Sequence, residues 1–206
     1  MPEAAPVITA ENHHFQEYGS IGRPIPGVEV KIDEPNEEGI GELIARGPNV
    51  MAGYFENEEE TAKTLVDGWL HTGDLAYISK GGYVYICGRK KNVIVLKNGK
   101  NVYPEEIEVL ISNLPYVEEV MVFGQQKGDD ERDLALSTKI VYKPDVLKEA
   151  GLTDADEINA YIKKDIDQIN ETMPTYKQIL RVYTTDQPMI KTTTGKVKRY
   201  EETKNL

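Results

Sequence analysis

The sequence contains only one cysteine, Cys87, and no long apolar run among its 206 residues. A single cysteine excludes an intrachain disulfide, so a reducing, cytoplasmic compartment is the simplest expectation. The longest apolar runs, such as residues 93–96, fall far short of the ~20 residues that a transmembrane helix needs. Residues 1–15 also lack the basic and apolar regions of a signal peptide. We therefore expect neither a transmembrane segment nor a secretion signal.

Basic residues are few relative to acidic ones, 24 Lys and Arg against 35 Asp and Glu, which gives a formal net charge of −11. Nucleic-acid binding is therefore not expected, because phosphate binding needs net or clustered positive charge. Apolar residues make up 39% of the chain and charged residues 29%, as in soluble globular proteins rather than disordered ones. At ~100–200 residues per domain, the length predicts one domain or two small ones.

Short β-like runs separated by turn residues characterise the first 87 residues. Residues 28–32 alternate apolar and polar side chains and predict a half-buried strand, with residues 41–46 as its antiparallel partner. A short helix is predicted over 57–66, because acids crowd its first turn, where the helix dipole favours them. A strand over 69–75 and a hairpin over 76–88 complete this part.

A mixed pattern of helices and strands begins near Gly88. The hairpin dipeptide Asn98-Gly99 joins strands predicted over 90–96 and 101–103, and Pro104 opens a helix. The remaining predicted elements are strands over 118–124, 134–142 and 179–184, and an amphipathic helix over 154–173. We predict an α+β fold with a small β-rich domain over 1–87 and a mixed α/β domain over 88–206, joined at a hinge.

Two residues near the predicted boundary carry side chains that suit a sugar or a phosphate. Asp74, in the segment HTGDL, could accept hydrogen bonds from the vicinal hydroxyls of a ribose. An ordinary turn, in which the aspartate bonds its own backbone, is the simpler interpretation of this residue taken alone. Arg89 could direct its guanidinium at ribose or phosphate oxygens, although a surface salt bridge is the simpler interpretation.

Lys196 follows three threonines and a glycine in a basic C-terminal segment. Its ammonium group, carried on a mobile tail, could approach a phosphoryl or carboxylate group, but a solvated tail explains the same residues. The segment is not a phosphate-binding P-loop, because Ile190 stands where that motif needs glycine and Val197 where it needs serine or threonine. The adjacent His13 and His14 would point in opposite directions on an extended segment, so they do not predict a metal site.

Four segments, in a fixed order over about residues 19–200, carry a resemblance to a known family. Together they resemble the adenylate-forming superfamily, which includes acyl-CoA synthetases, luciferases and peptide-synthetase adenylation domains. The third segment is most similar to fatty acyl-CoA ligases. The four are GRPIPGVEVKI, GELIARGPNVMAGYFENEEETAKTLVDGWLHTGDLAYI, GRKKNVIVLKNGKNVYPEEIE and TTTGKVKRY.

The resemblance implies a two-step reaction with ATP, Mg²⁺ and CoA. A fatty acid carboxylate attacks the α-phosphate of ATP and gives an acyl-adenylate and pyrophosphate. The thiol of CoA then attacks the adenylate and forms a thioester. The partners implied are therefore these small molecules, and the activity is that of a fatty acid–CoA ligase.

The same resemblance assigns roles to five residues. Asp74 and Arg89 would bind the nucleotide at its ribose, and Lys196 would stabilise charge developing between the acyl carboxylate and the α-phosphate. Lys91 would be the hinge about which a mobile C-terminal domain rotates, so that Lys196 leaves and the loop at Gly99 enters. Gly99 would then line the thiol tunnel, where a side chain would crowd the thiol.

Asn101 and the first three residues are two further points of comparison with the family motifs. Many relatives carry arginine where this chain has Asn101, which affects an expected phosphate or CoA contact. Met1-Pro2-Glu3 resembles the end of a Tyr-Gly-x-Thr-Glu motif, so Glu3 would correspond to the Mg²⁺-associated glutamate, although Pro2 lacks the hydroxyl of threonine.

The family's phosphate loop and most of its acyl pocket have no counterpart in these 206 residues. We therefore expect a C-terminal portion of such a ligase, inactive in isolation. The alternative is a non-catalytic binding or assembly module, or a split-gene half that needs a partner chain. Apolar surface that the larger domain would cover favours a homodimer.

Overall fold

The computed structural model describes residues 2–14, 16–128 and 133–204. The chain forms two compact units, Met1–Asn92 and Val93–Leu206, and their sheets and helices confirm the α+β class. The boundary expected from sequence, at Gly88, falls within a strand of the first unit. The division into functional domains over 1–87 and 88–206 stays a prediction, and its first residue, Met1, lies outside the described residues.

Strands dominate the first unit. Its described residues form one short α-helix, α1, over Glu58–Thr64, capped by the Asn57 side chain, which accepts a hydrogen bond from the Glu60 amide. The strands are β1 Thr9–Ala10, β2 Arg23–Pro24, β3 Glu29–Asp33, β4 Gly41–Arg46, β5 Leu65–Val66, β6 Trp69–Ile78 and β7 Val84–Arg89.

A five-stranded antiparallel sheet organises this unit. Its order is β3-β4-β6-β5, and β7 also pairs with β6. The predicted strand over 69–75 and the first arm of the predicted hairpin are one continuous strand, β6. Leu43, Ala76 and Val84 form the buried core of this sheet, because apolar side chains from neighbouring strands meet on one face.

The second unit combines a three-stranded sheet with helices. Its strands are β8 Ile94–Val95, β9 Asn101–Val102, β10 Val117–Gln126, β11 Leu134–Tyr142 and β12 Ile179–Thr185. Its helices are α2 Pro104–Ser112, α3 Pro144–Glu149, α4 Ala155–Glu171 and α5 Arg199–Thr203. The order β10-β11-β12 joins an antiparallel pair to a parallel one.

The main core of the second unit lies where α2 and α4 pack on the sheet. Ile158, Ile162 and Ile166 of α4 are buried, as the spacing of isoleucines predicts for one face of a helix. Each fully buried isoleucine contributes about 1.5–3 kcal/mol. Asp154 begins α4, because its side chain accepts hydrogen bonds from the amides of the first turn.

A second, smaller core cluster lies in the same unit. Met121 and Phe123 alternate with Val122 along β10, so their side chains point away from the α2–α4 core, which contains Val122. They pack with Val141 and Met189, and Val197 lies against them. Residues on either side of the Lys196 loop are therefore packed on the sheet.

The segment 90–96, predicted as one strand, is instead a 3-10 helix over Lys90–Asn92 followed by the short strand β8. The predicted hairpin at Asn98-Gly99 is confirmed, and it joins β8 to β9. Nowhere in the described ranges does a helix have both the length and the apolar character needed to cross a membrane.

Candidate functional site

A bulge in the first unit positions Asp74. Residues 72–74 of β6 lie opposite the single residue Leu43 of β4, where the pairing register shifts. Such a bulge bends a strand and redirects its side chains. Gly73 has φ +69°, a left-handed conformation that favours glycine at this point.

Side chains satisfy the backbone groups that the bulge removes from the ladder. The Thr72 hydroxyl donates to the Leu43 carbonyl at 2.7 Å and accepts a hydrogen bond from the Asp74 amide at 3.1 Å. The Gly73 amide donates to the Glu42 carboxylate at 3.0 Å. Because these groups are paired, the bulge is a defined conformation rather than a defect.

Asp74 and Arg89 are direct partners across the β6–β7 ladder. The Arg89 Nε lies 2.9 Å from the Asp74 Oδ1, and the Arg89 Nη1 donates to the Thr72 carbonyl at 3.2 Å. The Arg89 side chain is 42% exposed and the Asp74 side chain 20% exposed, so both reach solvent. The structure thus brings together the two residues for which the sequence predicts nucleotide contacts.

Glu42 is a buried carboxylate beside this pair, 6% exposed. Its Oε2 accepts a hydrogen bond from the Lys90 ammonium at 2.8 Å and lies 3.1 Å from His71 Nδ1. Burial raises the pKa of Glu42, but the bonds from Lys90, His71 and the Gly73 amide outweigh it and leave the pKa below its usual value. The bond to Glu42 in turn raises the pKa of Lys90.

Asp33, Glu42 and His71 could together offer ligand atoms to a metal ion, since these atoms lie within 4.8 Å of one another. The Lys90 ammonium already contacts the Glu42 carboxylate. A divalent ion would have to displace this ammonium, so the group is best described as an ion-pair network. His13 and His14 do not belong to it.

A cavity of about 400 Å³ lies next to this network and is lined by Gly73, Arg89, Lys90 and Lys91. Three of its four lining residues are cationic, which favours an anionic ligand. Lys91 is exposed and lies in the 3-10 helix, just before the end of the first compact unit at Asn92.

Gly99 lies at the tip of the β8–β9 hairpin with φ +78°. A Cβ added there would meet no heavy atom within 4 Å. The backbone conformation, rather than crowding by described residues, is therefore the reason that glycine suits this position. Asn101 is exposed at the start of β9.

Lys196 is exposed at a turn between Met189 and α5. Its ammonium makes no ion pair or hydrogen bond with the residues that the structure describes. The surrounding segment is an ordered hairpin rather than the mobile tail expected from its composition, because Lys191 and Val197 form a β-bridge. The lysine is presented outward from a folded support.

Glu3 lies in a 3-10 helix over Pro2–Ala4, and its backbone carbonyl accepts a hydrogen bond from the Met51 amide at 2.8 Å. Its carboxylate accepts a hydrogen bond from the Tyr54 hydroxyl at 3.3 Å. Met1, the first residue of the motif that suggested Glu3, lies outside the described residues.

Glu42, His71 and Lys90 are not among the residues that sequence patterns single out. Glu42 lies in an apparently ordinary β alternation, and its contacts to His71 and Lys90 span 29 and 48 residues. The one available signal is that Glu42 is an acidic residue next to Leu43 and Ile44, which are buried. An acid in such a segment indicates a buried charge.

Family comparison identifies the class of protein to which this fold belongs. The profile of the AMP-binding enzyme C-terminal domain matches residues 91–205, and that of the AMP-binding enzyme matches residues 1–55. The chain belongs to the AMP-binding, adenylate-forming enzyme family.

Named relatives are CoA ligases and synthetases. The chain is 36% identical to the putative acyl-CoA synthetase YngI of Bacillus subtilis, over 97% of this chain and 35% of the relative. It is 34% identical to a long-chain-fatty-acid–CoA ligase of the same organism, over 91% of this chain and 32% of the relative. The chain thus spans about a third of the length of these relatives.

Solved structures of a related enzyme match the fold of nearly the whole chain. O-succinylbenzoate-CoA synthetase (MenE) from Bacillus subtilis is 28% identical in two complexes. The one with ATP and magnesium ion has a TM-score of 0.76, and the one with the acyl-adenylate OSB-AMP has 0.77. In both cases the match covers 98% of this chain and 39% of the solved chain.

Proposed function

We propose that this chain is the C-terminal portion of an ATP-dependent fatty acid–CoA ligase. In the first step, a carboxylate oxygen of the acid attacks the α-phosphorus of ATP, and the bond to the departing pyrophosphate breaks. In the second step, the sulfur of CoA attacks the acyl carbon, AMP leaves, and a thioester forms. The thiol loses its proton in this second step.

The observation that carries the proposal is the Asp74–Arg89 pair beside a cationic cavity. Asp74 is the acceptor of the two ribose hydroxyls, and Arg89 both holds the Asp74 carboxylate and donates to the nucleotide. Arg89, Lys90 and Lys91 give the cavity the charge that suits a phosphate-bearing ligand. The bulge at Gly73 sets the direction of Asp74.

Lys196 stabilises the transition state of the first step. Negative charge develops between the attacking carboxylate and the α-phosphate, and an ammonium directed there lowers the barrier electrostatically. Its exposure, and the absence of a partner for it within the described ranges, leave this ammonium available. Lys91 is the hinge residue, and rotation there withdraws Lys196 and brings Gly99 to the thiol for the second step.

Glu3 is a suitable oxygen donor for Mg²⁺, which commonly takes one or two protein carboxylates together with substrate phosphates. Its carboxylate is partly exposed and has one neutral hydrogen-bond donor in Tyr54, so the donor chemistry fits. Bound Mg²⁺ would neutralise phosphate charge in the first step. Glu3 would be the residue of this chain that holds the ion.

Nucleotide binding by the 206-residue chain is the direct test of the site. In an ¹⁵N-labelled sample titrated with ATP to millimolar concentration, we expect the amide resonances of Gly73, Asp74 and Arg89 to shift. The ligand 2′,3′-dideoxyATP lacks both ribose hydroxyls and should bind about 10-fold more weakly or worse.

Two variants sharpen this titration. Asp74→Ala should reduce the response to ATP to that of the dideoxy ligand, whereas Glu29→Ala, which removes an exposed acid of β3 paired with Arg46, should leave it unchanged. Equal affinity for ATP and the dideoxy ligand, or no shift at Asp74, would reject the proposed nucleotide site.

Pyrophosphate release with a panel of fatty acids tests the activity. The chain alone should be inactive, whereas a fusion to the remaining N-terminal two-thirds of YngI should release pyrophosphate. Activity on mixing the separate halves would favour the split-chain alternative. Robust turnover by the 206 residues alone would contradict the proposal that activity also needs the N-terminal portion.

The acyl specificity is a further part of the proposal. Support for a fatty acid comes from the long-chain ligase among the relatives, while MenE acts as an o-succinylbenzoate-CoA synthetase. The fatty acid panel should therefore include o-succinylbenzoate. The homodimer and the cytoplasmic location stay predictions from the sequence.

A further inference from the structure

The backbone around Lys196 is a tight hairpin with several internal hydrogen bonds. The Thr192 amide donates to the Lys196 carbonyl at 2.8 Å, and the Gly195 amide donates to the Thr192 carbonyl at 2.9 Å. The Lys196 amide donates to the Thr192 hydroxyl at 3.1 Å. All of these bonds lie within the turn, so other contacts must attach the turn to the rest of the unit.

Glu202 of α5 holds the base of this hairpin. Its Oε1 accepts a hydrogen bond from the Ile190 amide at 2.5 Å, and the Ile190 carbonyl accepts one from the Lys198 amide at 2.8 Å. Ile190 therefore links both arms of the hairpin to one carboxylate. Glu119 of β10 adds a second attachment, since it accepts a hydrogen bond from the Met189 amide at 2.9 Å.

Glu202 is itself fixed in place. It is 2% exposed, and its Oε2 lies 2.5 Å from the Lys139 ammonium. Burial raises the pKa of Glu202, but the Ile190 amide and Lys139 outweigh this effect and leave the pKa below its usual value. The carboxylate is therefore charged at neutral pH and is bonded through both oxygens.

The helix that carries Glu202 is also anchored at its start. Arg199 makes two 2.7 Å bonds to the Glu108 carboxylate and donates to the Val122 carbonyl at 3.0 Å. A five-residue helix has no appreciable stability alone in water. These charged contacts thus order α5, and α5 presents Glu202 to the hairpin.

We propose that Glu202 is a positioning residue for Lys196: it couples Lys139 to the Ile190 amide and so holds the hairpin in the conformation that presents the lysine ammonium. The catalytic part of this inference rests on the proposed function. A charge that is already in place needs no reorganisation when the transition state forms, and small displacements of such a group slow reactions strongly.

Amide hydrogen exchange in the 206-residue chain tests the positioning without any activity. In Glu202→Gln, the amides of Thr192 and Lys196 should exchange about 10-fold faster or more, while those of Ile162 and Ile166 in α4 stay unchanged. Glu201→Gln is the matched control, because Glu201 is a neighbouring acid whose side chain is 46% exposed and pairs with Lys198. It should leave both sets unchanged.

Glu202→Asp keeps the charge but shortens the side chain, and it serves if the glutamine variant does not fold. It should also accelerate exchange in the hairpin selectively. The proposal would be overturned if the amides of Thr192 and Lys196 exchanged at the parent rate in every Glu202 variant that folds. Equal loss of protection in α4 and the hairpin would also overturn it, because Glu202 would then support the fold as a whole.

The half-reactions of the YngI fusion test the catalytic consequence. Glu202→Gln should lower kcat for adenylation about 10-fold or more at unchanged KM for ATP, and it should leave thioester formation from supplied acyl-adenylate within about 2-fold. Equal loss in both half-reactions would reject a role through Lys196. An inactive parent fusion would count against the proposed function alone, while the exchange experiment still decides the positioning.

Discussion

Asp74 and Arg89 occupy facing positions on β6 and β7, with 2.9 Å between the carboxylate Oδ1 and the guanidinium Nε. Both side chains reach solvent, so their attraction is screened and contributes little to stability. The same geometry leaves the pair accessible to a ligand. A pair of this kind is better suited to orienting two polar groups than to holding the sheet together.

This relationship predicts a separation between stability and binding. Asp74→Asn and Arg89→Gln should each change the free energy of unfolding by less than about 1 kcal/mol. Each should weaken ATP binding about 10-fold or more. Urea unfolding followed by the fluorescence of Trp69, the single tryptophan, gives the first quantity, and calorimetric titration gives the second. Large destabilisation with unchanged affinity would make the pair structural.

Replacing Lys196 should affect one half-reaction selectively. In the YngI fusion, Lys196→Ala should slow adenylation about 100-fold or more, because it removes a preorganised charge from the developing transition state. Thioester formation from supplied acyl-adenylate should be nearly unchanged. Lys204→Ala, which changes another lysine of this segment, should affect neither step. Equal loss in both steps would contradict the role assigned to Lys196.

Glu42 should make the stability of the first unit depend on pH. Because its pKa is lowered in the folded state, its stabilisation is present above the pKa of the unfolded chain, about 4.3. This stabilisation is lost as the pH falls through the folded value. Glu42→Gln should therefore cost about 1–3 kcal/mol at pH 7, and the difference from the parent should shrink toward pH 3.

Unfolding in urea, monitored by Trp69 fluorescence at several pH values, measures this effect. Glu29→Gln is a suitable control, because Glu29 lies on the neighbouring strand but is 64% exposed in its pair with Arg46. A constant difference between Glu42→Gln and the parent from pH 7 to pH 3 would show that the carboxylate charge is not responsible.

Gly99 offers a test that separates backbone strain from catalysis. Gly99→Ala should destabilise the second unit by about 1–2 kcal/mol, because φ is positive. Gly151→Ala is matched, since Gly151 also has φ +84° and open space around its Cβ position. If Gly99 lines the thiol tunnel, only Gly99→Ala should also slow thioester formation in the fusion. Equal rates in the two variants would refute that role.

Local sequence signals predict most elements of this fold. The strand over Leu134–Tyr142 and the helix from Pro104 follow directly from alternation and from proline at a helix start. The isoleucines of α4 and its Asp154 cap define the long helix. These features depend on neighbours in the sequence, so one chain is enough to detect them.

Features that depend on distant partners could not be predicted in this way. Lys90–Asn92 forms a 3-10 helix, and the Lys90 ammonium bonds Glu42 on another strand. The sequence of helix α5 is polar and predicts a solvated tail. Glu202 is nevertheless buried against Lys139, which lies 63 residues earlier. Asp74 and Arg89 are identifiable by family resemblance, but their mutual contact emerges only from the register of two strands.

The parallel pairing of β12 with β11 has a consequence for synthesis on the ribosome. Ile179–Thr185 must leave the exit tunnel before the three-stranded sheet of the second unit can be completed. Nascent chains that end before this strand therefore expose an unpaired β11 edge, which is prone to association. Lys196 is translated later still, so its ammonium reaches a defined location only after the unit beneath it has assembled.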